Sequence, residues 1–289
     1  MIRPPVHERT YTFADGLRLE LGKRTLIMGI LNVTPDSFSD GGKYMDVRAA
    51  VERAKQMEEE GADIIDIGGE STRPGHQPVS LEEELRRVLP VIEAVRREVR
   101  LPISIDTYKA ETARRALEAG ANIINDIWGF KRDPEIAAVA AACGCPVVLM
   151  HNRERPVYRD LMADILEDLR ASVAIARTAG VEDRNIWLDP GIGFAKEYED
   201  NLVVMGRLDE IVRLGYPVLL GTSRKRFIRH TLGLPADDVV EGTAATVALG
   251  IAQGCQIVRV HDVKQMKRVA AMADAIVYGP AATAERSGV

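Results

Sequence analysis

The sequence predicts an α/β fold, a (β/α)8 TIM barrel preceded by a short N-terminal β-hairpin. Three observations predict it. Eight short runs rich in apolar and β-branched residues recur along the chain, and a polar turn and a stretch of helical periodicity follow each run. The runs are nearly continuous in apolar residues instead of alternating, the pattern of parallel strands buried on both faces. The chain has 289 residues, enough for a barrel that needs roughly 250, and no linker or low-complexity tract interrupts the strand–helix units. An open doubly wound sheet is the competing architecture. It would place a glycine-rich phosphate turn after an early strand, and no run here precedes G-x-G-x-x-G or a Walker lysine motif.

In chain order, residues 1–24 form an N-terminal segment in which Tyr11 to Leu21 reads as a hairpin turned at Asp15-Gly16, a dipeptide that tolerates the positive φ of a tight turn. This hairpin is expected to plug the bottom of the barrel. The barrel occupies residues 25–280 and a tail follows at 281–289. Its strands are predicted at Thr25 to Val33, Ala62 to Ile67, Pro102 to Ile105, Asn122 to Ile127, Pro146 to Met150, Ile186 to Leu188, Pro217 to Leu220 and Gln256 to Val260. Helices are predicted over Val47 to Glu60, over Lys109 to Ala119, over Tyr158 to Ala179, over Glu197 to Leu214 and over Val239 to Ala252, each stopped by a glycine. Ser80 with Glu83, and Asp262 with Gln265, read as capping boxes; Asp133-Pro134-Glu135 reads as an N-cap with proline in the first turn.

Bulk properties exclude several classes. The net charge is −5 and no basic run exceeds Arg224-Lys225-Arg226, so neither nucleic acid nor a membrane surface is an expected partner. No segment has the length of a signal peptide or a membrane span. Cys143, Cys145 and Cys255 are too few and too unevenly spaced for a disulfide framework or a zinc site; the first two read as packing residues. A cytoplasmic protein is expected.

Aligning the predicted strand ends gives the main functional signal: Asn32, Asp66, Asp106, Asn125-Asp126, His151, Asp189, Ser223, and Arg259 with His261. Any one Asn, Asp or Ser at such a junction is an ordinary helix cap. Arg259, His261 and Lys225 are poor caps, and capping does not explain convergence on the mouth where barrels build active sites. Arg259 and His261 lie two apart and share a strand face, an arrangement suited to a phosphate or pyrophosphate. Asp106, Asn125 and Asp189 suit a flat heterocycle bearing N–H groups. The mouth is therefore expected to divide into carboxylates on strands three to six and cations on strands seven and eight. Two long glycine-rich loops, Asn32 to Gly42 and Gly68 to Gly75, exceed usual βα-loop lengths and are expected to act as lids.

The chain resembles the dihydropteroate synthase family of the pterin-binding barrel superfamily over nearly its whole length. The resemblance is carried by seven motifs in the family's order: Met28 to Gly42, Asp66 to Gly75, Ser104-Ile-Asp-Thr107, Ile124-Asn-Asp126, Leu188-Asp-Pro-Gly-Ile-Gly-Phe194, Gly221-Thr-Ser-Arg-Lys225 and Ile257-Val-Arg-Val-His-Asp262. It implies condensation of 6-hydroxymethyl-7,8-dihydropterin pyrophosphate with para-aminobenzoate, giving dihydropteroate and pyrophosphate in folate synthesis. It further implies that Asp106, Asn125, Asp189, Lys225 and Thr72 bind the pterin, that Arg259 and His261 hold pyrophosphate, and that Asn32 positions Mg²⁺. Phe38, Asp40, Arg73, Pro74, Phe194, Ser223 and Lys225 would shape the aminobenzoate pocket, with Asp40 stabilising developing positive charge on the pterin. A homodimer, and competition of sulfonamides with aminobenzoate, follow from the same resemblance. A pterin-barrel methyltransferase acting on a corrinoid partner, or a non-catalytic pterin-binding protein, would share Asp106, Asn125 and Asp189 but would not need Arg259, His261 or the lid motifs.

Overall fold

The computed structural model describes residues 3–33, 43–70 and 78–279. Strands β1 (Arg9–Thr12) and β2 (Arg18–Leu21) pair antiparallel, with Arg9 opposite Leu21. Between them Gly16 takes a φ of +83°, and the Asp15 carboxylate accepts from the Leu17 N–H at 3.1 Å. The hairpin turns where Asp15-Gly16 predicted.

Eight parallel strands follow: β3 (Leu26–Asn32), β4 (Ile64–Gly68), β5 (Ile103–Asp106), β6 (Ile123–Asp126), β7 (Val147–Met150), β8 (Ile186–Asp189), β9 (Leu219–Leu220) and β10 (Ile257–Val260). Their order is β8-β7-β6-β5-β4-β3-β10-β9. Leu188 bridges Val218 in parallel, and the Leu188 N–H donates to the Pro217 carbonyl at 2.9 Å, so the sheet closes on itself. All eight predicted strands are present.

Period-two alternation then assigns the faces. Met28, Ile64, Ile123, Val148, Trp187, Leu219 and Ile257 meet inside the barrel. Their neighbours along each strand, among them Ile27, Ile65, Ile124, Val147, Leu188, Leu220 and Val258, pack outward against the helices. Tyr11, Leu19 and Leu21 of the hairpin join the inner cluster, and the buried Trp187 indole N–H donates to Tyr11 Oη at 2.9 Å. The hairpin is the expected plug. Two residues further toward the carboxyl end, the inner positions of β4, β6, β8 and β10 become Asp66, Asn125, Asp189 and Arg259.

The helices are α1 (Lys43–Glu60), α2 (Leu81–Glu98), α3 (Ala110–Glu118), α4 (Glu135–Cys143), α5 (Leu161–Thr178), α6 (Tyr198–Met205), α7 (Leu208–Val212), α8 (Arg226–Leu232), α9 (Val240–Ala252) and α10 (Val263–Tyr278). Ser80 caps α2 by accepting from the Glu83 N–H at 3.2 Å. Several details correct the sequence reading. The stretch from Glu197 to Leu214 is two helices, because Gln253 clamps the break: its Oε1 accepts from Leu208 N–H and its Nε2 donates to Met205 O, both at 2.8 Å. Helix α8 was not anticipated; it ends at Gly233 with φ +68°. Helix α5 begins at Leu161 behind the cap Asp160. Asp262 makes no cap bond to α10; Arg224 takes its carboxylate at 2.6 and 3.2 Å. Cys143 is exposed and is not a packing residue. No described helix is long and apolar enough to cross a membrane.

Candidate active site

The mouth is built from the polar layer that lies beyond the apolar one inside the barrel. Asp66 on β4 and Asp106 on β5 are buried, and the Arg259 guanidinium from β10 reaches both. Its Nε donates to Asp66 Oδ2 at 2.7 Å and its Nη2 to Asp106 Oδ2 at 2.8 Å. The Asn125 amide, on β6 next to β5, donates to Asp66 at 3.3 Å. The mouth is therefore not split into acidic and cationic halves, as the strand order had suggested. A long side chain on β10 spans the lumen and neutralises carboxylates from two other strands. One fork serves two acids, which leaves it oriented and rigid.

Burial pushes the Asp106 carboxyl up to about 7, with Arg259 pulling against it and Asp66 pushing the same way as burial. Burial also raises Asp189 at the end of β8, and Lys225 opposes this. Asp189 Oδ1 accepts from the Gly191 N–H at 2.7 Å. Lys225, which burial lowers to about 8 against the pull of Asp189, donates to the Ile192 carbonyl and lies 4.8 Å from the centre of the Phe194 ring. It sits at the N-cap position of α8 without capping it. Its chain turns toward the β8 loop, so it is no solvated helix start. His261 Nδ1 lies 2.9 Å from Ser223 Oγ, which also accepts from the His261 N–H at 3.2 Å. Asn32 closes β3, and a Cβ placed on Gly68 would lie 3.7 Å from Asn32 Oδ1 and 3.6 Å from Asp106 Oδ2. The Gly68 backbone thus runs close to both side chains.

Of the expected site residues, Asn32, Asp106, Asn125, Asp189, Phe194, Ser223, Lys225, Arg259 and His261 thus lie at the carboxyl ends of the barrel strands or in the loops that follow. Phe38, Asp40, Thr72, Arg73 and Pro74, with most of both expected lids, lie outside the described residues. Two strand-end residues do not face the lumen. Asp126 accepts from the Trp128 and Phe130 N–H groups, both at 2.8 Å. His151 is fully buried and lies 3.1 Å from Asp168 on α5. Each follows an inward residue, so strand parity sends it outward. Asp66 is the converse case: its place in the strand-end alignment was visible, but its role as a partner of Arg259 was not. Lys196 was missed altogether; its position after Gly191-Ile-Gly-Phe-Ala was the available signal.

Residues 28–261 match the model of the family described as "Pterin binding enzyme". A dihydropteroate synthase from Bacillus subtilis is 61% identical over 90% of this chain and 91% of its own length. A Clostridium difficile dihydropteroate synthase, solved in the presence of pteroic acid, superposes with a TM-score of 0.88 at 50% identity, over 89% of this chain and 98% of that one. A Xanthomonas albilineans dihydropteroate synthase with 4-aminobenzoic acid superposes with a TM-score of 0.89 at 42% identity, over 93% and 98%.

Proposed function

The chain belongs to the pterin-binding enzyme family, among its dihydropteroate synthases, and from that premise we infer what each residue at the barrel mouth does. The enzyme is a transferase of folate biosynthesis. It condenses 6-hydroxymethyl-7,8-dihydropterin pyrophosphate with para-aminobenzoate, yielding 7,8-dihydropteroate and pyrophosphate. One observation carries the residue roles: the inward polar layer of Asp66, Asp106, Asn125 and Asp189, threaded by Arg259 and flanked by Lys225.

Asp106, Asn125 and Asp189 read the pterin edge, since carboxylates accept parallel N–H bonds from an amidine-like group. Thr72 adds a pterin contact. When the bond from the pterin methylene carbon to the pyrophosphate oxygen breaks, its electron pair leaves with the pyrophosphate. Arg259, already oriented by two carboxylates, and His261 stabilise that charge as preorganised electrostatics. The aminobenzoate nitrogen then bonds to the methylene carbon and releases a proton, so no covalent enzyme nucleophile is needed. Phe194, Ser223 and Lys225 line the aminobenzoate side with Phe38, Arg73 and Pro74, and Asp40 stabilises the positive pterin. We infer that sulfonamides compete with aminobenzoate in the same pocket.

The donor chemistry suits Mg²⁺: Asn32 Oδ1 at the end of β3 is a hard oxygen that would hold it, and this ion keeps water and phosphate oxygens as its other ligands. When bound it would neutralise pyrophosphate oxygens. A homodimer in the cytoplasm completes the reading. Its support is an exposed apolar trio, Leu249 on α9 with Met272 and Ile276 on α10.

The decisive test is pyrophosphate release from dihydropterin pyrophosphate and Mg²⁺ with and without para-aminobenzoate. Release that depends on aminobenzoate is expected. Pterin binding without release under either condition would refute the reading.

A further inference from the structure

We propose that Lys196 is a positioning residue for the reaction: its ammonium, oriented through His151 and Asp168, fixes the Gly191–Phe194 turn on which Asp189, Lys225 and Phe194 depend. The proposal rests on reading those three residues as substrate-facing.

The turn is an unusual piece of backbone. Gly191, Gly193 and Ala195 have φ of +66°, +81° and +43°, a left-handed conformation that costs energy at a non-glycine residue such as Ala195 and persists only where surroundings enforce it. A Cβ on Gly191 would fall 1.9 Å from the His151 carbonyl oxygen, so the turn lies directly against the end of β7. From the lumen, Lys225 Nζ holds it by the Ile192 carbonyl. From the other side, Lys196 Nζ donates to the Gly191 and Phe194 carbonyls at 3.0 and 3.1 Å. Tyr158 Oη donates to the Ala195 carbonyl at 2.6 Å, and Asn201 Oδ1 accepts from the Gly193 N–H, also at 2.6 Å. The turn is pinned between two lysines. Its Gly191 N–H orients Asp189, and its Phe194 ring meets Lys225.

Lys196 has a third partner, His151 Nδ1 at 2.8 Å. An ammonium has three N–H donors and no acceptor, and here it faces three acceptors. That match requires His151 to be neutral with its proton on Nε2, where it donates to Asp168 Oδ2 at 3.1 Å. Burial, with Lys196 and Lys131 adding to it, lowers His151 to about 4 despite Asp168, so it is neutral near pH 7. Asp168 is in turn held by Arg153 Nε at 2.6 Å. Asp168 therefore sets the tautomer, the tautomer presents the acceptor, and the acceptor aims the lysine. None of these groups is among those assigned above to either substrate.

The arrangement is also sensitive to pH. Burial lowers Lys196 to about 7. The charged groups facing it are Asp189 at the end of β8 and Asp200 on α6, which favour its charge, and Lys225 beyond β9 and Lys131 beyond β6, which oppose it; His151 relays Asp168 from α5. Loss of the proton leaves two N–H donors and a lone pair against three acceptors, so one contact turns repulsive. The turn loosens as pH rises through about 7.

The test is kcat and KM for para-aminobenzoate from about pH 6 to about pH 9, in the parent, Lys196→Met and Asp168→Asn. In the parent, KM should rise along an alkaline limb. Lys196→Met should raise KM on the order of tenfold at the acid end with a smaller change in kcat. It should also lack the limb near 7, while the later limb from Lys225 remains. Asp168→Asn should move the limb to lower pH, because a weaker acceptor holds the His151 proton on Nε2 less firmly and so presents a poorer Nδ1 acceptor to the ammonium. A limb unmoved in both variants, or a uniform fall in kcat with the profile intact, overturns the proposal. Should Lys196→Met not fold, an unmoved limb in Asp168→Asn overturns it alone. A parent without aminobenzoate-dependent release refutes the functional reading itself, whereas an active parent with unmoved limbs refutes only the role of Lys196.

Discussion

Arg259 bonds to Asp66 and Asp106, so Arg259→Ala strips two buried carboxylates of their cation. Near neutral pH this should cost about 3 kcal/mol of stability, read from urea unfolding. The sign of its pH dependence follows from Asp106, whose folded pKa is raised from 3.8 to about 7. Between those values the folded carboxyl holds a proton that the unfolded chain has released, so stability from this group falls as pH rises through the window. Without Arg259 the group protonates at still higher pH, and the penalty should shrink as pH falls toward about 7. A penalty independent of pH would contradict the pairing. In binding assays the same variant should lose affinity for dihydropterin pyrophosphate far more than for free dihydropterin; equal losses would remove Arg259 from the pyrophosphate site. Asp189→Asn turns half of an acceptor fork into a donor and should weaken pterin binding on the order of a hundredfold by calorimetry. Unchanged affinity would exclude its role.

At the scale of elements, the hairpin and the β8 turn carry the sharpest expectations. Tyr11 Oη accepts from Trp187 inside the barrel and donates to the Arg184 carbonyl at 2.6 Å. Tyr11→Phe leaves a fully buried indole N–H without a partner and should cost about 1 to 3 kcal/mol in denaturant melts while sparing the mouth, which lies at the other end. Unaltered stability would mean the hairpin only covers the barrel. Gly191→Ala puts a methyl against the His151 carbonyl, 1.9 Å away before relaxation, at a positive φ. It should displace the turn and raise KM for aminobenzoate, and a wild-type KM would show that the turn can shift freely.

Over the whole molecule, α9 and α10 pack on each other and leave Leu249, Met272 and Ile276 about 60% exposed, a poor surface for a monomer. Met272→Asp should convert a dimer to monomers in sedimentation equilibrium, with the barrel intact by circular dichroism. A parent that sediments as a monomer would exclude the homodimer.

Much of this protein was legible in its sequence because the barrel is a repeated local pattern. Strands buried on both faces require continuous apolar runs, and glycine stops and turn residues separate them, so all eight strands and the Asp15-Gly16 hairpin could be placed from composition and spacing. Parity along each strand carries the site as well: Asn125, Asp189 and Arg259 each sit two residues beyond an inner apolar residue. What depends on contacts across the fold was not legible. The Gln253 clamp that splits α6 from α7 joins residues about fifty apart in the chain, and Asp262 abandons its cap because Arg224 reaches it from another loop. Arg259 is aimed by acids on strands that are distant in sequence. Lys196 acquires its three acceptors only once β7, α5 and the β8 turn are packed together. Sequence determined the eight barrel strands, the hairpin turn and the chemistry available at the mouth, because these are set by local periodicity and turn residues. Which groups pair there was decided by tertiary structure, because burial makes the energy of each charge depend on the neighbours that folding brings to it.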